Sequence, residues 1–284
     1  MKGRSPIIVI GMHRSGTSLV TRLLETMGLF VGSKKEGNHE AVFFQKLNEW
    51  ILQQSGGAWD HPQPVKHLLS NQEIRALVVD YLRLMLNSPR VISYLGLKNY
   101  LRYRTPFRLD IPWGWKDPRN TFTLPLWLDL FPDAKIIHVY RHGVDVANSL
   151  MMRQDKILQN HLRKYKRIRV IIWMLAKRWR FTDTVRCSSS EGGIALWEEY
   201  MKEAQSHVKD LGSHALEIKF EELLEEPRRV VRALIDFCQL SPQPKQIQKA
   251  MSMIDQRRAY AYKSSPHLVH LAQVFKPKLQ QFGY

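Results

Sequence analysis

The apolar run Pro6-Ile7-Ile8-Val9-Ile10 passes directly into Gly11-Met12-His13-Arg14-Ser15-Gly16-Thr17-Ser18, and a periodic apolar segment follows. Leu19, Val20, Leu23, Leu24 and Met27 recur at the spacing of one helix face, with Gly28 as a natural stop. A buried strand that turns through glycines into a helix aims several backbone N–H groups, and the positive end of the helix dipole, at one point. An anion is the natural occupant of such a turn. The loop that cradles nucleoside triphosphates has the spacing G-x-x-x-x-G-K-[ST]. Here Gly11, Gly16 and Ser18 keep that register, and Thr17 stands where the lysine would be. In triphosphate chemistry that lysine reaches the β- and γ-phosphates, while a metal neutralises the rest. Its replacement disfavours ATP hydrolysis or kinase chemistry, and no acidic metal ligand follows the apolar run at 136–140. The bland alternative is a tight strand–helix turn with chance hydroxyls.

Further along, Ala134 to Tyr140 reads as a second strand with Arg141 at its carboxyl end, and a helix is predicted from Val144 to Arg153. A third strand is expected from Ala215 to Phe220, then a turn over Glu221–Pro227 and a helix over Arg229–Phe237. Helices are also predicted over Asn38–Gln54, Asn71–Leu86 and Ile194–Val208, with Ser188–Gly193 as a loop. Strands that alternate with helices predict an α/β fold, P-loop-like and three-layered (αβα), with a central parallel sheet and helical insertions. In such sheets ligands bind beyond the carboxyl ends of the strands. Both the glycine loop and Arg141 fall at such ends.

The 284 residues are 44% hydrophobic, enough for one large core. They read as a single domain, 1–284, with a basic, helical insertion at about 155–187. The net charge of +17 attracts polyanions or phosphorylated and sulfated ligands. Much of it is concentrated: Lys156, Arg163, Lys164, Lys166, Arg167, Arg169, Lys177, Arg178 and Arg180 follow one another with no acid among them. This stretch, with its apolar centre Val170–Ala176, has three readings: a solvated amphipathic hairpin, a basic lip that gathers an anionic acceptor, or a peripheral membrane contact through 161–180. Cys187 and Cys238 make neither a disulfide framework nor a zinc site. No apolar run approaches the roughly 20 residues needed to span a bilayer, and His13 and Arg14 interrupt the N-terminal one. A cytoplasmic location is expected, with membrane association as its variant.

Taken together, the two strand-end segments resemble the signature of the sulfotransferase family that uses 3′-phosphoadenosine 5′-phosphosulfate (PAPS), in its bacterial carbohydrate-type, P-loop-like form. GMHRSGTS resembles the family's 5′-phosphosulfate loop, which implies donor contacts from Arg14, Ser15, Gly16, Thr17 and Ser18. AKIIHVYRHGVDVANSL resembles the 3′-phosphate motif, a strand followed by R-x-x-x-D-x-x-x-S. By that match Arg141 and Ser149 grip the 3′-phosphate, and Asp145 braces the turn. WKDPRN at 115–120 resembles the strand that places a catalytic lysine, here Lys116, beside the sulfuryl group. GNHE at 37–40, with Phe44 and Leu47 after it, and FEELLEEP at 220–227 resemble further family segments. The basic C-terminal phosphate loop of cytosolic members is missing; Arg257, Arg258 and Lys263 are its candidate substitutes.

Sulfuryl transfer needs an acceptor in line with the leaving phosphate, a base for its proton, and cations around the sulfonate oxygens. Glu40 is the candidate base, with Glu36 the runner-up and His13 a third choice. Lys116 and Arg14 are the candidate transition-state stabilisers. Arg119 reads either as a further phosphate contact or as the partner of Asp117. Trp113 and Trp115 read either as adenine platforms or as core. PAPS is expected as co-substrate, no metal is expected, and the acceptor is a small molecule or glycan hydroxyl, on a saccharide or glycolipid. Nucleic acid is not the expected partner. The rival readings are a P-loop kinase-like phosphotransferase and a non-enzymatic polyanion-binding protein.

Overall fold

The structure, a computed structural model, describes residues 3–175 and 181–284. Lys177, Arg178 and Arg180 of the basic run lie outside them. In chain order the elements are β1 (Ile7–Ile10), α1 (Thr17–Thr26), α2 (Val42–Gln54), α3 (Val65–Ser70), α4 (Gln72–Asn87) and α5 (Ile92–Tyr103). They continue with β2 (Gly114–Lys116), α6 (Asn120–Leu130), β3 (Lys135–Tyr140), α7 (Gly143–Met174) and α8 (Ser190–Leu211). The last are β4 (Ala215–Lys219), α9 (Phe220–Glu225), α10 (Pro227–Cys238), α11 (Pro244–Met251), α12 (Pro266–Val274) and α13 (Lys276–Gln280).

The chain divides into two compact units. The first comprises residues up to Arg141 together with Tyr200–Ala259 and contains the whole sheet. Its four strands are all parallel, in the order β2-β1-β3-β4. Val9 lies in register with both Lys116 of β2 and Ile137 of β3, so the carboxyl ends of the three strands form one edge. All four residues of β1 are buried, because both faces of the sheet are covered. Ile7 and Val9 join Leu19, Leu23 and Leu24 of α1 and Val230, Val231 and Leu234 of α10 in one core. Ile8 and Ile10 point the other way. On that face Trp115, in register with Ile8, stacks on Phe44 of α2 at 3.9 Å between centroids and 5° between planes. Trp127 of α6 meets both rings edge-on. Helix, sheet and helix make the expected three-layer α/β architecture.

The second unit, His142–Glu199 with Tyr260–Tyr284, is helical. His142 stacks on Tyr262 at 4.1 Å, Asp145 in the first turn of α7 accepts a 2.7 Å hydrogen bond from Tyr262 N, and Trp197 packs edge-on against Phe282.

Three local expectations change, and one open choice is decided. The helix predicted over 144–153 runs on to Met174, since residues 154–174 contain no glycine or proline to stop it. Of the expected Ser188–Gly193 loop, Ser190–Gly193 instead form the start of α8. Its glycines answer to crowding: a Cβ on Gly192 would lie 1.9 Å from the Arg186 carbonyl oxygen, and one on Gly193 2.9 Å from Ala147 Cβ. The turn at Glu221–Pro227 is α9, with Pro227 opening α10, where its missing N–H leaves no bond unmade. Trp113 and Trp115, 0% and 1% exposed, belong to the aromatic core and offer no ring face to adenine. Replacing Trp115 with alanine is expected to cost about 3–5 kcal/mol of stability. A urea titration reads this directly, and a loss below about 1 kcal/mol would show that the Phe44–Trp115 stack contributes little.

Candidate functional site

The glycine loop leaves β1 at the carboxyl edge of the sheet and folds tightly against the neighbouring strand. Gly11 has φ 131°, and a Cβ there would lie 2.2 Å from the Val139 carbonyl oxygen. Gly16, the N-cap of α1, has φ 97°, and its Cβ would lie 2.2 Å from the Phe220 ring. Both positions therefore require glycine. The fully buried Ser15 hydroxyl lies 2.7 Å from Met12 O and 2.9 Å from Val139 O, which fastens the loop to β3. Gly11 N donates to Thr121 Oγ1 at 3.0 Å. Between these anchors Arg14 is exposed and sits at φ 72°, a conformation sparsely populated by non-glycine residues. No side-chain hydrogen bond caps α1 among the described residues, so the first-turn amides at Thr17 and Ser18 open toward the loop. Thr17 is buried, and Ser18 Oγ donates to Asn38 O at 2.8 Å. His13 is half-buried, edge-on to Trp59 at 4.7 Å and to Tyr200 at 6.3 Å.

Beside the loop lies a buried ion pair. Lys116 ends β2, in register with Val9, and its Nζ is 2.9 Å from Glu40 Oε1, with the two side chains 1% and 6% exposed. Glu40 is delivered by a short antiparallel bridge between Lys35 and Ala41, two residues before α2 begins. Glu36 N donates to Glu40 O at 2.9 Å and Val42 N to Lys34 O at 3.1 Å, which fixes this segment. Gln45 Nε2 donates to the second carboxylate oxygen, Oε2, at 3.1 Å. Burial pushes the Lys116 ammonium below the ordinary lysine range, and Glu40 and Asp117 partly offset that push. Glu36, the runner-up acid, is exposed. Of the two acids, Glu40 is the one that meets Lys116.

Behind the pair, Asp117 is fully buried and accepts hydrogen bonds from Arg119 N at 2.9 Å, Arg119 Nη1 at 3.1 Å and Asn48 Nδ2 at 3.0 Å. Arg119 is thus the partner of Asp117. Asn48 also donates to Asn120 Oδ1 at 2.7 Å and accepts from Thr123 Oγ1 and Trp127 Nε1, each at 2.8 Å. Neither Asn48 nor Thr121 stands out in the sequence. The available signal for Asn48 is a polar residue among Phe44, Leu47 and Ile51 on the apolar face of α2.

Arg141 is 7% exposed, lies 4.9 Å over the Phe220 ring and donates to the Arg258 carbonyl oxygen at 3.3 Å. Arg258 therefore approaches through its backbone, while Arg257 forms a surface pair with Asp255 at 2.9 Å. The loop, Glu40, Lys116 and Arg141 all lie at the carboxyl edge of the sheet in the first unit. Ser149, half-buried on α7, and Lys263, over the Tyr260 ring at 4.3 Å, belong to the second. A cradle with no room for side chains at Gly11 and Gly16, open helix amides, an exposed arginine and a buried lysine suit a dianionic group better than a neutral one.

Comparison with known proteins agrees with this chemistry. A profile described as "Sulfotransferase family" matches residues 6–244. The sulfotransferase domain from the Synechococcus PCC 7002 olefin synthase superposes with a TM-score of 0.50 at 17% identity, over 97% of this chain and 95% of that one. The sulfotransferase domain from the curacin biosynthetic pathway does so with a TM-score of 0.50 at 15% identity, over 97% and 99%. An uncharacterized protein of Aquifex aeolicus (strain VF5) is 25% identical over 248 residues, 84% of this chain, and the chain spans only 27% of that relative's length.

The buried pair makes a thermodynamic prediction. Lys116→Met alone strands a buried carboxylate and is expected to lose about 3–5 kcal/mol, whereas Lys116→Met with Glu40→Gln regains most of it. Additive losses in urea unfolding would show that the two groups do not depend on each other.

Proposed function

The chain belongs to the sulfotransferase family, and on that premise we propose that it transfers the sulfuryl group of PAPS to an acceptor hydroxyl, yielding 3′,5′-ADP and a sulfate ester. The observation that carries this reading is the Lys116–Glu40 pair, buried at the sheet edge where the uncapped loop opens. In this scheme the amides of Gly16, Thr17 and Ser18, together with Arg14, bind the 5′-phosphosulfate. Ser15 contributes by holding the loop in shape. Arg141 and Ser149 bind the 3′-phosphate, an assignment that rests on the sequence motif.

The acceptor oxygen forms the new S–O bond as the bond from sulfur to the phosphate oxygen breaks. Glu40 takes the acceptor's proton. The leaving oxygen, which gains the electron pair, is stabilised by the Lys116 ammonium and the Arg14 guanidinium. Side-chain cations serve in place of a metal. Residues 1–284 act as one catalytic domain in this reading, with 155–187 as its insertion. The resemblance of the loop to bacterial carbohydrate-type members supports a saccharide or glycolipid as the bearer of the acceptor hydroxyl. No helix among the described residues is long and apolar enough to cross a membrane, and the working location of the protein is taken to be the cytoplasm.

The decisive measurement is calorimetric titration with 3′,5′-ADP beside ATP. Binding of the first and not the second is expected; ATP binding that requires magnesium would instead support the kinase-like alternative. Glu40→Gln is expected to lower the rate of transfer by about 10²–10⁴-fold, while 3′,5′-ADP affinity stays within about twofold. Near-normal turnover in that variant would remove Glu40 as the base. Transfer by the wild-type protein should persist in a metal chelator.

A further inference from the structure

Helix α7 changes character along its length. Its buried residues, Gly143, Val144, Asp145, Val146, Ala147, Leu150 and Gln154, all lie in the first half. From Lys156 onward none is buried. One face of this second half, with Ile157, Leu158, Leu162, Tyr165 and Ile168, is half-covered. Tyr165 meets Phe181 at 5.1 Å between ring centroids, and His161 Nδ1 lies 3.0 Å from Phe181 O. The opposite face is exposed and carries Lys156, Arg163, Lys166 and Arg167.

The end of the helix is different again. Val170 is 61% exposed, Ile171 54%, Trp173 81%, Met174 70% and Leu175 69%. At 100° per residue these five side chains spread over about 200° of the helix circumference, wider than a stripe, and Ile172 on the remaining side is half-covered. A helix that ends in water ordinarily presents polar groups there, and a contiguous apolar patch of this kind marks a contact surface. At 1.5 Å per residue, Val170 to Leu175 spans about 8 Å, which matches the roughly 5–10 Å depth of the headgroup–acyl boundary. Arg169, Arg167, Lys166 and Arg163 then lie within the two turns above Val170, at the level of lipid phosphates.

We propose that the end of α7 docks the protein on an anionic phospholipid bilayer, with Val170–Leu175 entering the interface and the cations above them binding the headgroup phosphates. Charge selects this occupant. No acid lies between Lys156 and Leu175, in a chain of net charge +17. A second copy of the chain would bring the same cations face to face. A nucleic acid would match the cations and leave the apolar tip in water. Tryptophan at an interface, with arginines beside it, is the arrangement that bilayers favour. The proposal stands on exposure and charge alone and does not depend on sulfuryl transfer.

Co-sedimentation of the full chain with vesicles of phosphatidylcholine, and of phosphatidylcholine with phosphatidylserine, tests it. Binding to the anionic vesicles is expected to be at least about tenfold stronger and to weaken as salt rises. Trp173→Asp, and separately Arg163→Glu with Arg167→Glu, should each reduce it about tenfold. These residues are exposed, so the thermal midpoint should stay unchanged, which separates lost docking from lost folding. Equal binding to both vesicle types, or binding indifferent to Trp173→Asp, overturns the proposal. So does a chain that ignores vesicles and forms a dimer dispersed by Trp173→Asp, which would make a second copy the occupant. Duplex DNA binding that needs the arginines and not Trp173, with no vesicle binding, would assign the face to nucleic acid and overturn the proposal as well.

Discussion

The Val139 carbonyl, near the end of β3, is the point to which the anion-binding loop is fastened. It lies 2.9 Å from Ser15 Oγ and leaves no room for any side chain at Gly11. Because β1 and β3 are paired in register, that one carbonyl fixes the loop relative to the sheet edge, and with it the start of α1. The open amides and Arg14 owe their direction to this fastening. Ser15 thus turns its hydroxyl inward, whereas Arg14 beside it is exposed.

The second constraint is electrostatic. A lysine and a glutamate nearly removed from water are each costly, and desolvation offsets much of their attraction. Their surroundings supply what a bare pair lacks. Gln45 takes the free oxygen of Glu40, Asp117 adds a second negative charge near Lys116, and Asn48 fixes Asp117 from below. The Asn48 network ties helix α2, the 117–123 segment and Trp127 into one polar island within an aromatic core. Such islands tolerate partial satisfaction badly, so the position of the charged pair depends on polar groups behind it as well as on the pair itself.

What the sequence disclosed followed the range of the interaction. The strand–glycine–helix turn and the apolar run before Arg141 are short patterns, and they were legible without any structure. The parallel sheet followed from their alternation. The approach of Glu40 to Lys116 spans 76 positions and has no local signature; only the family resemblance named both residues. Asn48 was hidden because a polar residue on an apolar helix face has no visible partner until the fold brings Asp117 and Trp127 to it. Gly192 and Gly193 read as loop because the pattern cannot distinguish a glycine that bends the chain from one that admits a neighbour. Trp113 and Trp115 posed the same problem in reverse, since an aromatic side chain looks alike in a core and against a base. Ser15 was named with the donor contacts by the family resemblance alone, and only the fold brings its hydroxyl to β3.

The Ser18 hydroxyl carries a wider consequence. It donates its proton to the Asn38 carbonyl, in the segment that brings Glu40 to Lys116. A serine has one proton to give. An anion that drew that proton for itself would break the tie, and the chain from Asn38 to Glu40 would lose one of its anchors at the moment the loop filled. The start of α1 and the segment that carries Glu40 are therefore joined by a single shared hydrogen.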